Sequence, residues 1–256
     1  MTGLGPLVAA AIMGAVIGSF LNVCIYRLPR RESIVRPPSA CPQCGRRLSW
    51  LENIPLISYL FLGGRCRGCR ARISLRYPVV ELVTALTFAA AWLAYGPTPL
   101  LVSRLVFACA LIVLFAIDLE HHLLPNVITL SGIVVGLAFS LLTEPGWTSA
   151  VVGILIGGGI LFLIAEAYFR IRHEEGLGMG DVKMLAMIGA FLGWKLTLVT
   201  LMMASLAGSV VGVLVLVSGR GGMKYALPFG TFLALGAGLA ITTGSSVLDW
   251  YLTLWW

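Results

Sequence analysis

The chain has 256 residues, of which 59% are hydrophobic and only 11% are charged, and its mean hydropathy is +0.95. These values exclude a soluble globular protein and predict a polytopic membrane protein. The net charge is +7, yet the sequence contains no basic helix with base-reading residues. We therefore expect no nucleic-acid partner.

Apolar runs recur along nearly the whole chain and predict an all-α fold with about eight transmembrane helices. The predicted spans are residues 4–24, 79–95, 100–117, 126–142, 149–169, 181–194, 196–217 and 226–244. The run 181–194 is short for a full span, as expected of a helix that begins beside a polar cavity. We divide the chain into a first helix (1–24), a cytoplasmic loop domain (25–78) and a transmembrane core (79–256).

The basic residues are distributed unevenly between the two predicted sides of the membrane. Eleven of the 18 are arginines between Arg27 and Arg76, five more fall in loops on the same side, and Arg104 and Lys195 lie opposite. By the positive-inside rule the basic side is the cytoplasm, and basic residues there favour anionic lipid headgroups. The first segment lacks a basic start and a cleavage site, so we expect a retained helix, and Gly14 and Gly18 favour close helix packing.

Four cysteines stand in the loop between the first two predicted helices. They form two CxxC pairs, Cys41 with Cys44 and Cys66 with Cys69, separated by 21 residues. This spacing is typical of a closed four-thiolate zinc site, which would fold a loop too short for its own core. Redox pairs or disulfides are the alternatives, but thiols in the cytoplasm are kept reduced. We predict structural Zn²⁺ at these four cysteines, with nearby arginines offsetting the thiolate charge.

Two carboxylates lie at the ends of apolar runs on the predicted cytoplasmic side. Asp118 ends the run 100–117, and Asp181 follows the glycine-rich turn Glu175–Gly180. Two carboxyl groups held together cannot both ionise, so one keeps a proton while the other activates water. A helix cap is the alternative for either residue, and Asp181 heads a predicted helix. The pair indicates acid and base chemistry at the membrane edge.

Other polar residues in apolar segments have structural explanations. For Asn22 an interhelical hydrogen bond is favoured over a catalytic role. Glu81 is either paired with a nearby arginine or part of a polar site. The adjacent His121 and His122 point in different directions if helical, so a solvated turn is favoured over a metal site.

Five sequence blocks, in this order, resemble the prepilin leader peptidases, a family of bifunctional enzymes. The blocks are residues 18–23 (GSFLNV), 53–58 (NIPLIS) between the cysteine pairs, 73–81 (ISLRYPVVE), Asp118 with Leu124–Pro125, and the GxGD motif 178–181 (GMGD). The resemblance covers most of the chain. It departs where the family usually has an aspartate after Leu–Pro, since this chain has Asn126.

The resemblance implies an intramembrane aspartyl protease in the bacterial cytoplasmic (inner) membrane, with Asp118 and Asp181 as catalytic residues facing the cytoplasm. The implied substrates are prepilins of the type IV pilus and pseudopilins of type II secretion, whose short basic leader is removed. The new N-terminus is then methylated with S-adenosylmethionine as donor. No glycine-rich strand–turn–helix places the donor site, and Glu81 with the loop around Asn53 is a candidate position.

Three other functions remain open at this point. The first is a peptidase without methyl transfer. The second is a proton-coupled transporter, since paired membrane carboxylates also relay protons, although midplane acids in inverted repeats are not evident here. The third is a scaffold that uses the zinc loop to dock a secretion ATPase.

Overall fold

The structure is a computed structural model that describes residues 3–174, 176–218 and 227–253. Regular structure in these ranges is almost entirely helical, which confirms the predicted all-α class. The helices are α1 (Leu4–Arg27), α2 (Ile57–Phe61), α3 (Arg76–Tyr95), α4 (Pro99–His121), α5 (Asn126–Ser140), α6 (Trp147–Arg172), α7 (Met179–Val217) and α8 (Phe229–Thr253). Two 3-10 turns, Leu28–Arg30 and Leu51–Asn53, and two isolated β-bridges lie between α1 and α3.

Five helices in the described part of the chain are long and apolar enough to cross a membrane, namely α1, α3, α4, α6 and α7. Helix α5 and the apolar part of α8, Phe229–Gly244, are shorter. The predicted number of eight spans is therefore not confirmed. The predicted spans 181–194 and 196–217 correspond to the two halves of α7, which are separated by non-helical backbone at Gly193, and the predicted spans 126–142 and 226–244 correspond to the shorter helices α5 and α8.

Helix α7 changes direction at Gly193. Its 39 residues would extend about 58 Å at 1.5 Å per residue, far more than the hydrocarbon thickness of about 30 Å. Gly193 has φ 73° and ψ 172°, so the helical backbone is interrupted there. A Cβ atom at this position would also collide with Ser149 Oγ and Pro145 Cβ. Glycine is required both for the backbone conformation and for this close approach.

The described residues form two compact units, Met1–Val113 and Leu114–Trp256, which we call the N-terminal and C-terminal units. In the N-terminal unit α1 packs along α3. A Cβ atom added at Gly14 would lie 2.7 Å from Thr84 O, and one at Gly18 would lie 2.8 Å from Glu81 Cα. The prediction of close helix packing at these glycines is confirmed. The division into residues 1–24, 25–78 and 79–256 stays a prediction.

In the C-terminal unit α5, α6 and α8 pack against α7. The first half of α7 is its centre, since every residue from Leu185 to Gly193 is buried. This segment is apolar on all sides, as expected of a helix enclosed by other helices. The buried segment carries Asp181 at its beginning.

Candidate functional site

Asp118 lies about one turn before the end of α4 and is buried, with 5% of its surface exposed. Its carboxyl oxygen Oδ2 accepts two hydrogen bonds from Thr231, one from the backbone N–H at 2.6 Å and one from Oγ1 at 3.0 Å. Thr231 is the third residue of α8, where backbone N–H groups have no partner within the helix. The start of α8 therefore holds the Asp118 carboxyl by one oxygen and attracts its negative charge.

Asp181 is also buried and lies in the first turn of α7. The N-cap of this helix is Gly178, whose carbonyl accepts the Asp181 N–H at 3.1 Å. Asp181 is therefore not the N-cap residue, which argues against the helix-cap interpretation. Of the turn that precedes the motif, Glu175 lies outside the described residues.

The two aspartates are brought together within the C-terminal unit. Their charges are close enough to interact. Leu124 contacts the residues that precede Asp181 and Thr231, because a Cβ atom added at Gly180 or at Gly230 would come within 3.0 Å of the Leu124 side chain. The same added Cβ at Gly230 would lie 3.0 Å from Asp118 Oδ2. Two buried carboxyl groups near one another favour different protonation states, which is the condition that acid and base catalysis requires.

Thr231 was missed in the sequence because no chemistry is evident from a threonine in an apolar segment. The signal that precedes it is Pro228, a residue that favours the start of a helix.

Asn126 accepts a hydrogen bond from Lys183 Nζ at 3.0 Å. His121 is the last residue of α4 and His122 follows it with a left-handed φ of 49°; both residues are exposed, as expected of a solvated turn.

The four cysteines of the two CxxC pairs come together in the N-terminal unit. Their sulfur atoms all lie within 4.8 Å of one another, and Cys41 Sγ is 3.9 Å from Cys69 Sγ. Ligands at the usual Zn–S distance of about 2.3 Å in a tetrahedron lie about 3.8 Å apart. None of these cysteines forms a disulfide. The donor set and its spacing fit a single tetrahedral metal ion.

The two CxxC pairs have the same local fold, which we call a knuckle. In the first, Cys41 N–H donates to Arg46 O and Gly45 N–H donates to Cys41 O. The second knuckle has the same two bonds at the same spacing: the Cys66 N–H donates to Ala71 O, five residues later, and the Arg70 N–H donates to Cys66 O, four residues earlier. Gly45 and Arg70 occupy the same position and both have left-handed φ, 68° and 61°.

Backbone N–H groups prepare the second knuckle for a thiolate. The Cys69 and Gly68 N–H groups donate to Cys66 Sγ and lower the pKa of this thiol to about 6. In the same knuckle the Ala71 N–H lowers the pKa of Cys69, but burial and the neighbouring thiols together raise it to about 11. Without metal the cluster therefore favours a thiolate at Cys66, and the thiolate is the form that binds metal.

Glu52 joins the first knuckle to the loop that follows it. The pKa of Glu52 is lowered to about 2, first by the Ser49 N–H, which donates to Oε2 at 2.9 Å, and then by Arg46, which contacts Oε1. Arg46 directly follows the first knuckle, and Glu52 lies in the 3-10 turn Leu51–Asn53. The turn is thereby attached to the cysteine cluster.

A cleft of about 560 Å³ opens in the N-terminal unit between α1, α3 and the loop. Asn22 and Glu81 lie on its wall, as does Asn53. Asn22 Nδ2 donates to Tyr77 O on α3 at 3.0 Å, which confirms the predicted interhelical bond. Glu81 has no arginine partner among the described residues and instead accepts the Leu56 N–H at 2.8 Å. Of the two alternatives for Glu81, the polar site is therefore favoured.

The comparisons with known proteins cover nearly the whole chain. Residues 12–95 match the bacterial peptidase A24 N-terminal domain, and residues 105–213 match the type IV leader peptidase family. No solved structure matches the chain.

Three relatives carry the name prepilin leader peptidase/N-methyltransferase. The protein of Myxococcus xanthus is 44% identical over 224 residues, which are 86% of this chain and 67% of the relative. That of Aeromonas hydrophila is 38% identical over 94% of this chain and 92% of the relative. That of Pseudomonas aeruginosa is 34% identical over 97% and 94%. The chain therefore belongs to the type IV leader peptidase family.

Proposed function

We propose that this protein removes the short basic leader from type IV prepilins and type II secretion pseudopilins and then methylates the new N-terminus. Family membership and the names of the relatives support both activities. The observation that carries the peptidase proposal is the pair of buried carboxyl groups, Asp118 and Asp181, at adjacent helix ends in the C-terminal unit.

In the proposed peptidase reaction Asp118 and Asp181 share one proton. The ionised carboxylate takes a proton from water, whose oxygen attacks the scissile carbonyl carbon, while the protonated carboxyl donates to the carbonyl oxygen. Collapse of the tetrahedral intermediate transfers a proton to the leaving amine and breaks the C–N bond. No covalent acyl-enzyme forms. The bonds from Thr231 fix one oxygen of Asp118, which leaves its other oxygen for the water or the substrate.

The four cysteines would hold Zn²⁺ as thiolates. The ion would supply a cross-link for a loop that has few buried apolar residues, and we assign it no step in either reaction. Six arginines flank the cluster and offset the excess negative charge of a zinc ion with four thiolates, namely Arg46, Arg47, Arg65, Arg67, Arg70 and Arg72.

S-adenosylmethionine would supply an activated methyl group for the second reaction. The acceptor would be the neutral α-amine of the mature pilin: as its nitrogen bonds the methyl carbon, the S–CH3 bond would break, S-adenosylhomocysteine would leave, and the nitrogen would lose a proton to solvent. This nitrogen is an amide before cleavage, so cleavage comes first. An unperturbed α-amine has a pKa of about 7.7 to 8.0, which leaves a reactive fraction at neutral pH.

We place the active site at the cytoplasmic face of the bacterial inner membrane. The helices long enough to cross a bilayer support a multi-pass protein. Eleven arginines between Arg27 and Arg76 support a cytoplasmic location for the loop that carries the cysteines. The same charges favour contact with anionic lipid.

Incubation of the purified chain with a prepilin and S-adenosylmethionine tests the proposal. We expect a product that has lost its leader and is one methylene unit heavier than the cut peptide. Cleavage without the added mass would identify a peptidase alone. An unchanged prepilin, with the zinc-loaded protein intact, would contradict the proposal and favour the transporter or scaffold functions.

A further inference from the structure

The cleft of the N-terminal unit contains buried polar groups that its own side chains do not satisfy. Asn22 is 2% exposed, and its Nδ2 donates hydrogen bonds to the carbonyl oxygens of Gly18 and Tyr77. Its oxygen Oδ1 is buried and has no hydrogen-bond partner among the described residues. Exchange of the amide oxygen and nitrogen would set oxygen against two carbonyl oxygens, so this orientation is the one chemistry requires. An acceptor is therefore left at the cleft wall.

Glu81 adds a second acceptor and a negative charge to the same wall. It is 8% exposed, accepts a side-chain hydrogen bond from Ser19, and forms no ion pair among the described residues. Its one backbone donor is Leu56, whose φ of 61° and ψ of −49° are those of a strained γ-turn closed by Ile57 N–H and Pro55 O at 2.6 Å. Backbone strain of this kind is concentrated at functional sites. The loop is thus held in a costly conformation that directs an N–H at Glu81.

Arg27 places an opposite charge on the cleft wall. It is 9% exposed, and its guanidinium donates to Ser33 O at 2.8 Å and Pro37 O at 2.7 Å, both neutral carbonyls. A guanidinium has five N–H donors, so donors remain for a ligand. Buried charges are normally paired, whereas in the described part of the chain neither Arg27 nor Glu81 has a charged partner.

A ligand that carries both a cation and an anion would satisfy both charges of the cleft. An α-amino acid group has an ammonium for Glu81 and Asn22 Oδ1 and a carboxylate for Arg27. The cleft also has tyrosine rings on its wall, Tyr26, Tyr59 and Tyr77, which suit a purine. Its volume of about 560 Å³ is within the range of about 300–1,000 Å³ common for sites of small ligands. These features fit S-adenosylmethionine, which has an amino-acid end and an adenine.

We propose that this cleft is the methyl-donor site, with Glu81 and Asn22 holding the ammonium of the amino-acid end and Arg27 its carboxylate. The proposal rests on the methyl-transfer part of the proposed function and gives it a location. The mature N-terminus of the pilin also carries an amine, so the test must separate these two cations.

The test uses equilibrium dialysis to measure the affinity of the purified full-length protein for three ligands, S-adenosylmethionine, S-adenosylhomocysteine and 5′-methylthioadenosine. The second ligand keeps the amino-acid end without the sulfonium charge, and the third lacks the amino-acid end. Glu81→Gln keeps an acceptor for Leu56 N–H but removes the charge. We expect this substitution to weaken the binding of S-adenosylmethionine and of S-adenosylhomocysteine alike, by about 10- to 100-fold, and to leave the affinity for 5′-methylthioadenosine unchanged.

Arg27→Lys is the second variant, which keeps a positive charge but loses the planar guanidinium group. It should weaken the binding of the same two ligands. Glu166→Gln is the matched control, because Glu166 is a half-exposed helical glutamate paired with Arg170 in the other unit. Zinc content and thermal midpoint report folding of each variant. Unchanged affinities in folded Glu81→Gln would overturn the proposal.

Two further outcomes would also overturn the assignment. Weaker binding of S-adenosylmethionine alone would mean that Glu81 faces the sulfonium. Weaker binding of a pre-cut pilin peptide, with donor affinity unchanged, would mean that the cleft takes the pilin amine. Methyl transfer by the wild type to the pre-cut peptide is measured separately, so failure of the site is distinguished from failure of the methyltransferase function.

Discussion

Thr231→Val tests whether the start of α8 positions the carboxyl group of Asp118, for which we propose a catalytic role. Valine has nearly the shape of threonine, so packing around this buried residue is kept while the hydroxyl donor at 3.0 Å from Asp118 Oδ2 is lost. The backbone donor at 2.6 Å remains. A hydrogen bond to a partly charged acceptor contributes about 1–2 kcal/mol, and about 1.4 kcal/mol is a factor of ten in rate. We therefore expect kcat for prepilin cleavage to fall about 5- to 30-fold.

The assay is the initial rate of leader removal over a range of prepilin concentrations, followed by mass spectrometry. KM should change little, because Thr231 contacts Asp118 and has no part in binding the leader. Thr231→Ser keeps the donor and should restore most of kcat. Thr242→Val removes a hydroxyl on the same helix that bonds only to Leu239 O and should have no effect. A Thr231→Val rate within twofold of wild type would refute the positioning role.

Three further predictions concern the metal and the second reaction. The wild type should bind one zinc per chain, and Cys41→Ser should lose it, as measured by elemental analysis of reduced protein; well under one equivalent in the wild type would refute the site. Gly45→Ala should lower the thermal midpoint of the zinc-loaded protein, since a side chain on a residue with left-handed φ costs about 1 kcal/mol of folding free energy. Arg70→Gly at the matching position should not lower it, and the opposite order would contradict the shared knuckle geometry. Asp181→Asn should still methylate a peptide that begins at the mature residue but not intact prepilin, as read by mass spectrometry; no transfer to the pre-cut peptide in folded, zinc-loaded protein would show that the aspartates serve both reactions.

The parts of the site predictable from sequence are those in which short spacing determines geometry. A CxxC pair brings two sulfurs to one turn, and two such pairs have few ways to share a loop, so the cluster of Cys41, Cys44, Cys66 and Cys69 was predictable. The two ionisable side chains at the ends of apolar segments, Asp118 and Asp181, likewise indicated function. Their catalytic roles stay a prediction.

The remaining features depend on contacts between residues far apart in the chain. Thr231 lies 113 residues after Asp118, and no local pattern indicates their hydrogen bonds. The Leu56 N–H of the γ-turn donates to Glu81, 25 residues later, and no local pattern indicates this hydrogen bond. Hydropathy located the break in α7 near Gly193, but it did not show that α5 and the apolar part of α8 are shorter than a full span, because it does not determine where a helix begins and ends.

The most direct test of the central claim is the mass of a prepilin after incubation with wild type, Asp118→Asn and Asp181→Asn. Asparagine keeps the shape of each side chain and removes the ability to exchange a proton, so the comparison isolates the chemistry. Zinc content and helix content show that each variant is folded. We predict complete loss of the leader with the wild type and an uncut prepilin with both variants. Cleavage by either folded variant at a rate near that of the wild type would contradict the two-aspartate mechanism.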